Sequence, residues 1–382
     1  MNLQIFEELA KNFDGITWKM VVMWVIGAIL IFLAIKKEME PTLLLPMGFG
    51  AILVNLPFSG AINQISEETG ELIHGPLSVL FDAGIANELF PLILFIGIGA
   101  MIDFGPLLSN PKLLLFGAAA QFGIFMTLSL ASLFGYELND AASIAIIGAA
   151  DGPTSIFVAQ TLGSKYLGAI MVAAYSYMAL VPIVQPPIIK ALTTKKERMI
   201  KMPYETGNVS KLTRILFPII VTVIVGIAAP TAAALVGFLM FGNLIRECGV
   251  LDSLSQTAQN VLANLITIFL GITVASQMQA EQFVALDTII ILLLGLFAFI
   301  FDTAGGVMFA KLINIFSKKK INPMIGAAGI SAFPMSARIV HKMALKEDPQ
   351  NFILMHSIGV NVSGQIASVV AGGLILTLVQ GG

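Results

Sequence analysis

Long apolar runs, each stopped by charge or by Gly and Pro, set the pattern of this chain. Runs near the roughly 20 residues that cross a bilayer as a helix fall at 20–35, 42–58, 88–108, 113–133, 166–189, 215–229, 231–244, 257–277, 284–316 and 352–379. Each predicts a membrane-spanning helix, with soft ends where a run is short or overlong. Two further apolar segments, 141–162 and 321–345, are broken by Gly and Pro. Backbone freed from a helix is tolerated at membrane depth only where it is buried in protein or lines a wet cavity. These two segments are therefore predicted as re-entrant hairpins.

Charge bias orients the elements. Lys36-Lys37, Lys112, the linker with Lys195, Lys196, Arg198, Lys201 and Lys211, then Arg246 and Lys318-Lys319-Lys320, should all be cytoplasmic. The loop 64–87, with Glu67, Glu68, Glu71 and Asp82 and no Lys or Arg, should lie outside. Every basic cluster falls inside if 141–162 enters and leaves on the outer side and 321–345 on the cytoplasmic side. The expected fold is thus all-α and polytopic, with about ten transmembrane helices and two hairpins of opposite approach.

That order reads as two inverted repeats. An N-terminal amphipathic segment (1–19) precedes a first repeat (20–192), a cytoplasmic basic linker (193–213) and a second repeat (214–382). Phe95-Ile96-Gly97-Ile98 precedes Ile147-Gly148-Ala149-Ala150 by about the distance separating Phe269-Leu270-Gly271-Ile272 from Ile325-Gly326-Ala327-Ala328. Broken segments in matching positions of inverted repeats point to a transport site where the repeats meet.

Composition supports the class: 57% of the residues are hydrophobic and 12% charged, against roughly 25% charged in soluble domains. The net charge of −2 says little about partners, and no nucleic acid is expected among them. A single cysteine, Cys248, excludes a disulfide framework and a Cys-based metal site. Residues 1–14 are mildly acidic and the first apolar run ends at Lys36-Lys37, so no cleavable signal is expected.

The chemistry concentrates in the breaks. Asp151 stands in Gly148-Ala149-Ala150-Asp151-Gly152-Pro153-Thr154-Ser155. A charged side chain at mid-membrane costs roughly 2.5–3.5 kcal/mol on insertion scales and is by default a functional candidate. With Thr154, Ser155 and freed carbonyls it offers oxygens to a small, hard cation. The plainer alternative is a carboxylate that pairs with a lysine or caps a half-helix. The second hairpin adds Asn322, Ser331 and Ser336 around Gly326, Gly329 and Pro334, and two opposed tips would share one cation-sized cavity. Asn361 and Ser363 are further candidate ligands, or else belong to a Gly-rich stretch that lets helices approach. Arg338 reads equally as a guanidinium for an anionic substrate and as a positive-inside anchor. Tyr175 and Tyr177 face apart on a helix, so only one is expected to see a cavity. Asp103 and Asp302 are expected near cytoplasmic ends of their spans, where hydration makes them inexpensive.

These residues lie in stretches that resemble the β subunit of the sodium-translocating biotin-dependent decarboxylases, which act on oxaloacetate, methylmalonyl-CoA or glutaconyl-CoA. The matching runs are GAMIDFGP (99–106), GAADGPTS (148–155), FDTAGG (301–306), INPMIG (321–326), SAFPMSAR (331–338) and NFILMHSIGVNVSG (351–364). The resemblance implies a membrane subunit that decarboxylates carboxybiotin, exports Na+ and consumes a proton from outside. It implies biotin carried covalently on a partner, and as partners a carboxyltransferase subunit, a biotin carrier subunit and a small single-span γ/δ-type membrane subunit. A homo-oligomer in a bacterial cytoplasmic (inner) membrane is expected. The family's essential acid falls on Asp151, its tyrosine on Tyr177, and its polar hairpin residues on Asn322, Gly326, Ser331 and Arg338. Catalytic roles are thereby expected for Asp151, Tyr177, Ser331 and Arg338, with Arg338 orienting the biotin carboxylate and Tyr177 with Ser331 forming a second site that alternates cation and proton. The N-terminal region is shorter than in some oxaloacetate-type members, which leans toward the CoA-ester types. A sodium-coupled secondary transporter of a small carboxylate anion is the competing class, since inverted repeats and Arg338 would look the same there.

Overall fold

The computed structural model describes residues 13–65, 69–203 and 209–380. Residues 1–12 of the predicted N-terminal segment, Glu67 and Glu68 of the acidic loop, and 204–208 of the basic linker lie outside the described residues. The helices used below are α1 (Trp18–Lys37), α2 (Pro41–Val54), α3 (Pro76–Gly84), α4 (Leu89–Met101), α5 (Leu114–Ala120), α6 (Phe122–Leu133), α7 (Leu138–Ala145) and α8 (Gly152–Thr161). They continue as α9 (Leu167–Leu192), α10 (Lys211–Ala228), α11 (Ala233–Glu247), α12 (Ala263–Val274), α13 (Leu286–Phe316), α14 (Met335–Glu347) and α15 (Leu354–Gln380). The only sheet among the described residues is a two-residue antiparallel pair, Gln64–Ile65 with Leu72–Ile73.

Among the described residues seven helices are long and apolar enough to cross a membrane, or eight if the pair α3 and α4, bent by 64°, counts as one span. The all-α, multi-pass class expected from composition therefore holds. The structure differs from the span pattern in its interruptions. The run 88–108 stops at Met101, because Asp103 Oδ1 takes the amide of Gly105 at 2.8 Å and pulls the backbone out of the helix. The run 113–133 is split at Gln121 into α5 and α6. The run 42–58 ends early at Val54.

The chain forms two compact units. One gathers the described residues up to Phe90 with Asn264–Ile290. In it Asn55 is almost fully buried, donates at 2.7 Å to the carbonyls of Ala51 and Met278, and accepts at 2.7 Å from the amide of Ala280. A single side chain thus satisfies three backbone groups that a helix end would otherwise orphan.

The other unit comprises the described residues of 91–263 and 291–380 and holds every predicted site residue. Its middle is α15, with 61% of its most apolar stretch buried within the protein. Lipid is as apolar as leucine, so close backbone approach rather than water exclusion drives such packing. A Cβ on Gly364 would strike the carbonyl of Gly329, and one on Gly326 would strike that of Gly306. Gly326 is thereby placed as the point where the second broken segment crosses α13. Phe95, Phe116, Ile146, Met324, Val360 and Ile375 fill the core around these crossings.

Candidate functional site

The first broken segment follows from its sequence. After α7 the chain tightens into a 3-10 turn over Ile146–Ala149, and Ala150 adopts the left-handed conformation at φ 52°. Asp151 then caps α8, with Pro153 in the first turn, where its missing N–H costs nothing. The Asp151 side chain is 3% exposed and pairs with no cation among the described residues. Its Oδ2 accepts from Thr154 Oγ1 at 2.8 Å, Gln365 Nε2 at 2.9 Å and Ser368 Oγ at 3.0 Å, and its Oδ1 accepts from the Thr154 amide at 3.4 Å. All four donors are neutral. The carboxylate is solvated by dipoles and lacks a counter-charge.

Gln365 and Ser368 had no part in the sequence-based expectations. The signal that would have found them is helical spacing: Asn361, Gln365 and Ser368 stand at i, i+4 and i+7, one stripe of α15. Asn361 donates its amide to the Ile330 carbonyl at 2.7 Å, and its buried Oδ1 has no partner. Ser363, two residues on, turns away and donates to the Val360 carbonyl of its own helix at 2.6 Å. Ser155 likewise donates to a backbone carbonyl, that of Asp151, at 2.8 Å.

The second broken segment is a 3-10 stretch, Pro323–Gly329, followed by an irregular turn and α14. Ser331 joins the two breaks: its amide donates to the Ala149 carbonyl at 2.9 Å, and its hydroxyl to the Gly364 carbonyl at 3.1 Å. Asn322 is not gathered with Asp151. Its amide donates to the carbonyls of Arg198 and Ile200, at 2.8 and 3.1 Å, and its Oδ1 caps Met324 N at 3.1 Å. With both amide hydrogens spent on linker carbonyls, Asn322 clamps the linker to this segment. A second link that the sequence left unmarked is Gln185 of α9, whose Nε2 lies 2.7 Å from the Ala327 carbonyl and 2.8 Å from Ser336 Oγ.

The two tyrosines face apart, in different surroundings. Tyr175 packs its ring on Gly152, where a Cβ would collide with it, and its buried hydroxyl has no partner. Tyr177 donates to the Leu292 carbonyl on α13 instead. The tyrosine beside the Asp151 turn is Tyr175, and the Tyr177 and Ser331 hydroxyls are spent on different carbonyls. Arg338 is exposed, and its guanidinium makes no hydrogen bond or ion pair among the described residues, so it is available to an anion.

Asp302 also departs from expectation. It is 0% exposed, so hydration does not account for it. Its Oδ1 accepts from the Ile124 amide at 3.1 Å at the start of α6, replacing the carbonyl lost where the helix breaks. Its Oδ2 has no hydrogen-bond partner and lies against Gly148. Asp103, by contrast, is 39% exposed and lies 3.6 Å from Arg214.

Around Asp151 the residues thus present one carboxylate, two hydroxyls and one carboxamide, with Asn361 one turn away from Gln365 on α15. A hard monovalent cation fits that donor set, because oxygen ligands suit it and its charge supplies the missing counter-ion. Rotating the hydroxyls and the Gln365 amide exchanges their hydrogens for oxygens at the ion.

The family described as "Na+-transporting oxaloacetate decarboxylase beta subunit" matches residues 19–379. The chain is 49% identical to the methylmalonyl-CoA decarboxylase subunit beta of Propionigenium modestum, over 97% of each chain. It is 48% identical to the glutaconyl-CoA decarboxylase subunit beta of Acidaminococcus fermentans, over 97% of this chain and 96% of that one. It is 45% identical to the probable oxaloacetate decarboxylase beta chain of Vibrio cholerae, over 95% of this chain and 96% of that one. Each of these relatives is named as one subunit or chain of a decarboxylase.

Proposed function

The chain belongs to the beta subunits of the Na+-transporting decarboxylases, and from that premise we propose that Asp151 is where it holds the sodium it moves. The observation that carries this reading is a buried carboxylate ringed by neutral donors with no paired cation. Leaving an ionised group uncompensated in low dielectric is costly. Either Na+ or H+ supplies the charge, and the two exclude each other. Such a site alternates between them, as export of sodium with consumption of a proton requires. Thr154, Gln365, Ser368 and Asn361 complete the ligand set, while Ser331, Asn322 and Gly326 hold the two hairpins in register.

The reaction coupled to this exchange is decarboxylation of carboxybiotin held covalently on a partner. The bond between the ureido nitrogen and the carboxyl carbon breaks, its electron pair stays on nitrogen, CO2 leaves, and nitrogen takes up a proton. Arg338 orients the departing carboxylate through its planar fork. The partners are a carboxyltransferase subunit, the biotin carrier and a small single-span membrane subunit, assembled in a bacterial inner membrane. The two halves, 20–192 and 214–382, act as inverted repeats that rock about the joined breaks.

The test is sodium uptake into vesicles by the whole complex, with Asp151→Asn beside wild type and avidin as control. Asp151→Asn should lose transport and decarboxylation together, and avidin should abolish both in wild type. Normal sodium-dependent decarboxylation by Asp151→Asn would make the acid structural, and indifference to avidin would exclude biotin.

A further inference from the structure

A cleft between α9 and α14 has no part in the cation site. Pro182, Pro186 and Lys190 recur every fourth residue on α9, and Ile339 and Met343 do so on α14, so each helix turns one stripe to the other across a cavity of about 410 Å3. The walls are apolar at Pro182, Pro186, Ile339 and Met343, and the rim carries Lys190, Lys342 and Lys346. None of these lysines has an ion-pair or hydrogen-bond partner among the described residues. Glu347 also lines the cleft, but Arg198 Nε holds its carboxylate at 2.7 Å. The cleft is therefore cationic as well as apolar.

Position adds to composition. Arg338, Lys342 and Lys346 are spaced i, i+4 and i+8, a single column along α14. It runs from the end of the helix beside the basic linker, where Lys201 pairs with Asp348 at 3.1 Å, to the exposed guanidinium of Arg338 near the second break. That linker end is the side that charge bias assigns to the cytoplasm.

We propose that this cleft receives the carboxylated biotin of the carrier partner, its fused rings on the proline and aliphatic walls and its carboxylate passed along the cationic column to Arg338. The inference rests on the reading of the chain as a carboxybiotin decarboxylase and adds the docking site. A cavity of this size falls in the range for small ligands, roughly 300–1,000 Å3. Lysines on a rim act chiefly on encounter and salt dependence.

The experiment titrates N-carboxybiotin against the whole complex in phosphatidylcholine vesicles. Lys342→Glu/Lys346→Glu should raise KM roughly tenfold, with kcat and the sodium midpoint within about twofold of wild type. Lys342→Arg/Lys346→Arg should retain the wild-type KM, and added salt should raise the KM of wild type more than that of the Glu variant. An unchanged KM in the Glu variant overturns the proposal, as does a loss confined to kcat. A defect that appears only with anionic phospholipid in the vesicles overturns it too and makes the cleft a headgroup site. Failure of the underlying reading looks different: wild type itself would not turn over N-carboxybiotin.

Discussion

The amide of Ser331 donates to the carbonyl of Ala149 at 2.9 Å, so the two interrupted segments are joined backbone to backbone, two residues from Asp151. Neither partner is a side-chain ligand. The bond satisfies an amide and a carbonyl that the breaks would otherwise leave unpaired at membrane depth, where each costs several kcal/mol. Ser331→Pro deletes that donor and should leave a complex without sodium-coupled turnover. Ser331→Ala keeps it, loses only the hydroxyl bond to Gly364, and should shift the sodium midpoint while retaining activity. Sodium titration of decarboxylation separates the two, and equal loss in both would place the importance of Ser331 in its hydroxyl.

The stripe on α15 gives a sharper test of the cation site. Hydrogen bonds to a charged group contribute about 1.5–3 kcal/mol. Gln365→Leu and Ser368→Ala should therefore each weaken apparent sodium affinity roughly tenfold or more. Ser363→Ala, whose hydroxyl serves its own helix, should leave the midpoint unchanged. A sodium midpoint that moves with Ser363 and not with Gln365 would put the site elsewhere.

The helical class, the positions of the long apolar runs and the acid on a broken segment were legible in the sequence because hydropathy and Gly-Pro punctuation are local signals. What was not legible depends on long-range packing. Gln365 and Ser368 lie in a run that reads as a uniform span, and only the burial of α15 shows which stripe faces Asp151. Asn322 has the type and place of a ligand, yet a linker distant in sequence takes up both its amide hydrogens. Asp302 looked inexpensive at a span end, and the helix break at Gln121 that it caps cannot be read from residues near it. The i+2 rule shows that Tyr175 and Tyr177 face apart, but which ring rests on Gly152 depends on packing.

Ala150 holds φ 52° immediately before Asp151, a conformation that costs a non-glycine residue roughly 1–2 kcal/mol. Ala150→Gly relieves that cost and should stabilise the protein by up to about 1 kcal/mol with activity retained. Ala150→Val adds a branched side chain to the same strained, fully buried position and should abolish sodium dependence or folding. Thermal unfolding in detergent reads the first effect. Destabilisation by glycine would mean that alanine's methyl contributes more than the strain removes.

The contact between α14 and the linker should titrate. The Gln350 amide, followed by Lys201, holds the Asp348 carboxyl below the usual carboxylate range. A group whose pKa is depressed on folding contributes stability above its unfolded pKa, about 3.9, and loses it as pH falls through the lower, folded value. Asp348→Asn should therefore melt below wild type at neutral pH, and the two curves should converge below about pH 4. A melting difference that persists at low pH would show that charge is not what Asp348 contributes.

Tyr175 and Tyr177 offer a direct contest between geometry and resemblance. The resemblance puts the functional tyrosine at Tyr177, whose hydroxyl is bonded to the Leu292 carbonyl. The structure puts Tyr175 beside the Asp151 turn, with a buried hydroxyl that bonds to nothing. A hydroxyl without a partner contributes no stability, so Tyr175→Phe should fold and melt like wild type or slightly better. Any change it makes in the sodium midpoint or in the pH optimum of decarboxylation then reflects the cation site itself. Tyr177→Phe orphans the Leu292 carbonyl and should cost about 1–3 kcal/mol of stability, read as a lower melting temperature with the sodium midpoint little changed. The pair of variants, each assayed for melting and for sodium and pH dependence, assigns the roles. If Tyr177→Phe moves the sodium midpoint at full thermal stability while Tyr175→Phe moves nothing, the functional tyrosine is the one facing Leu292, and the empty hydroxyl beside Gly152 has no part in transport.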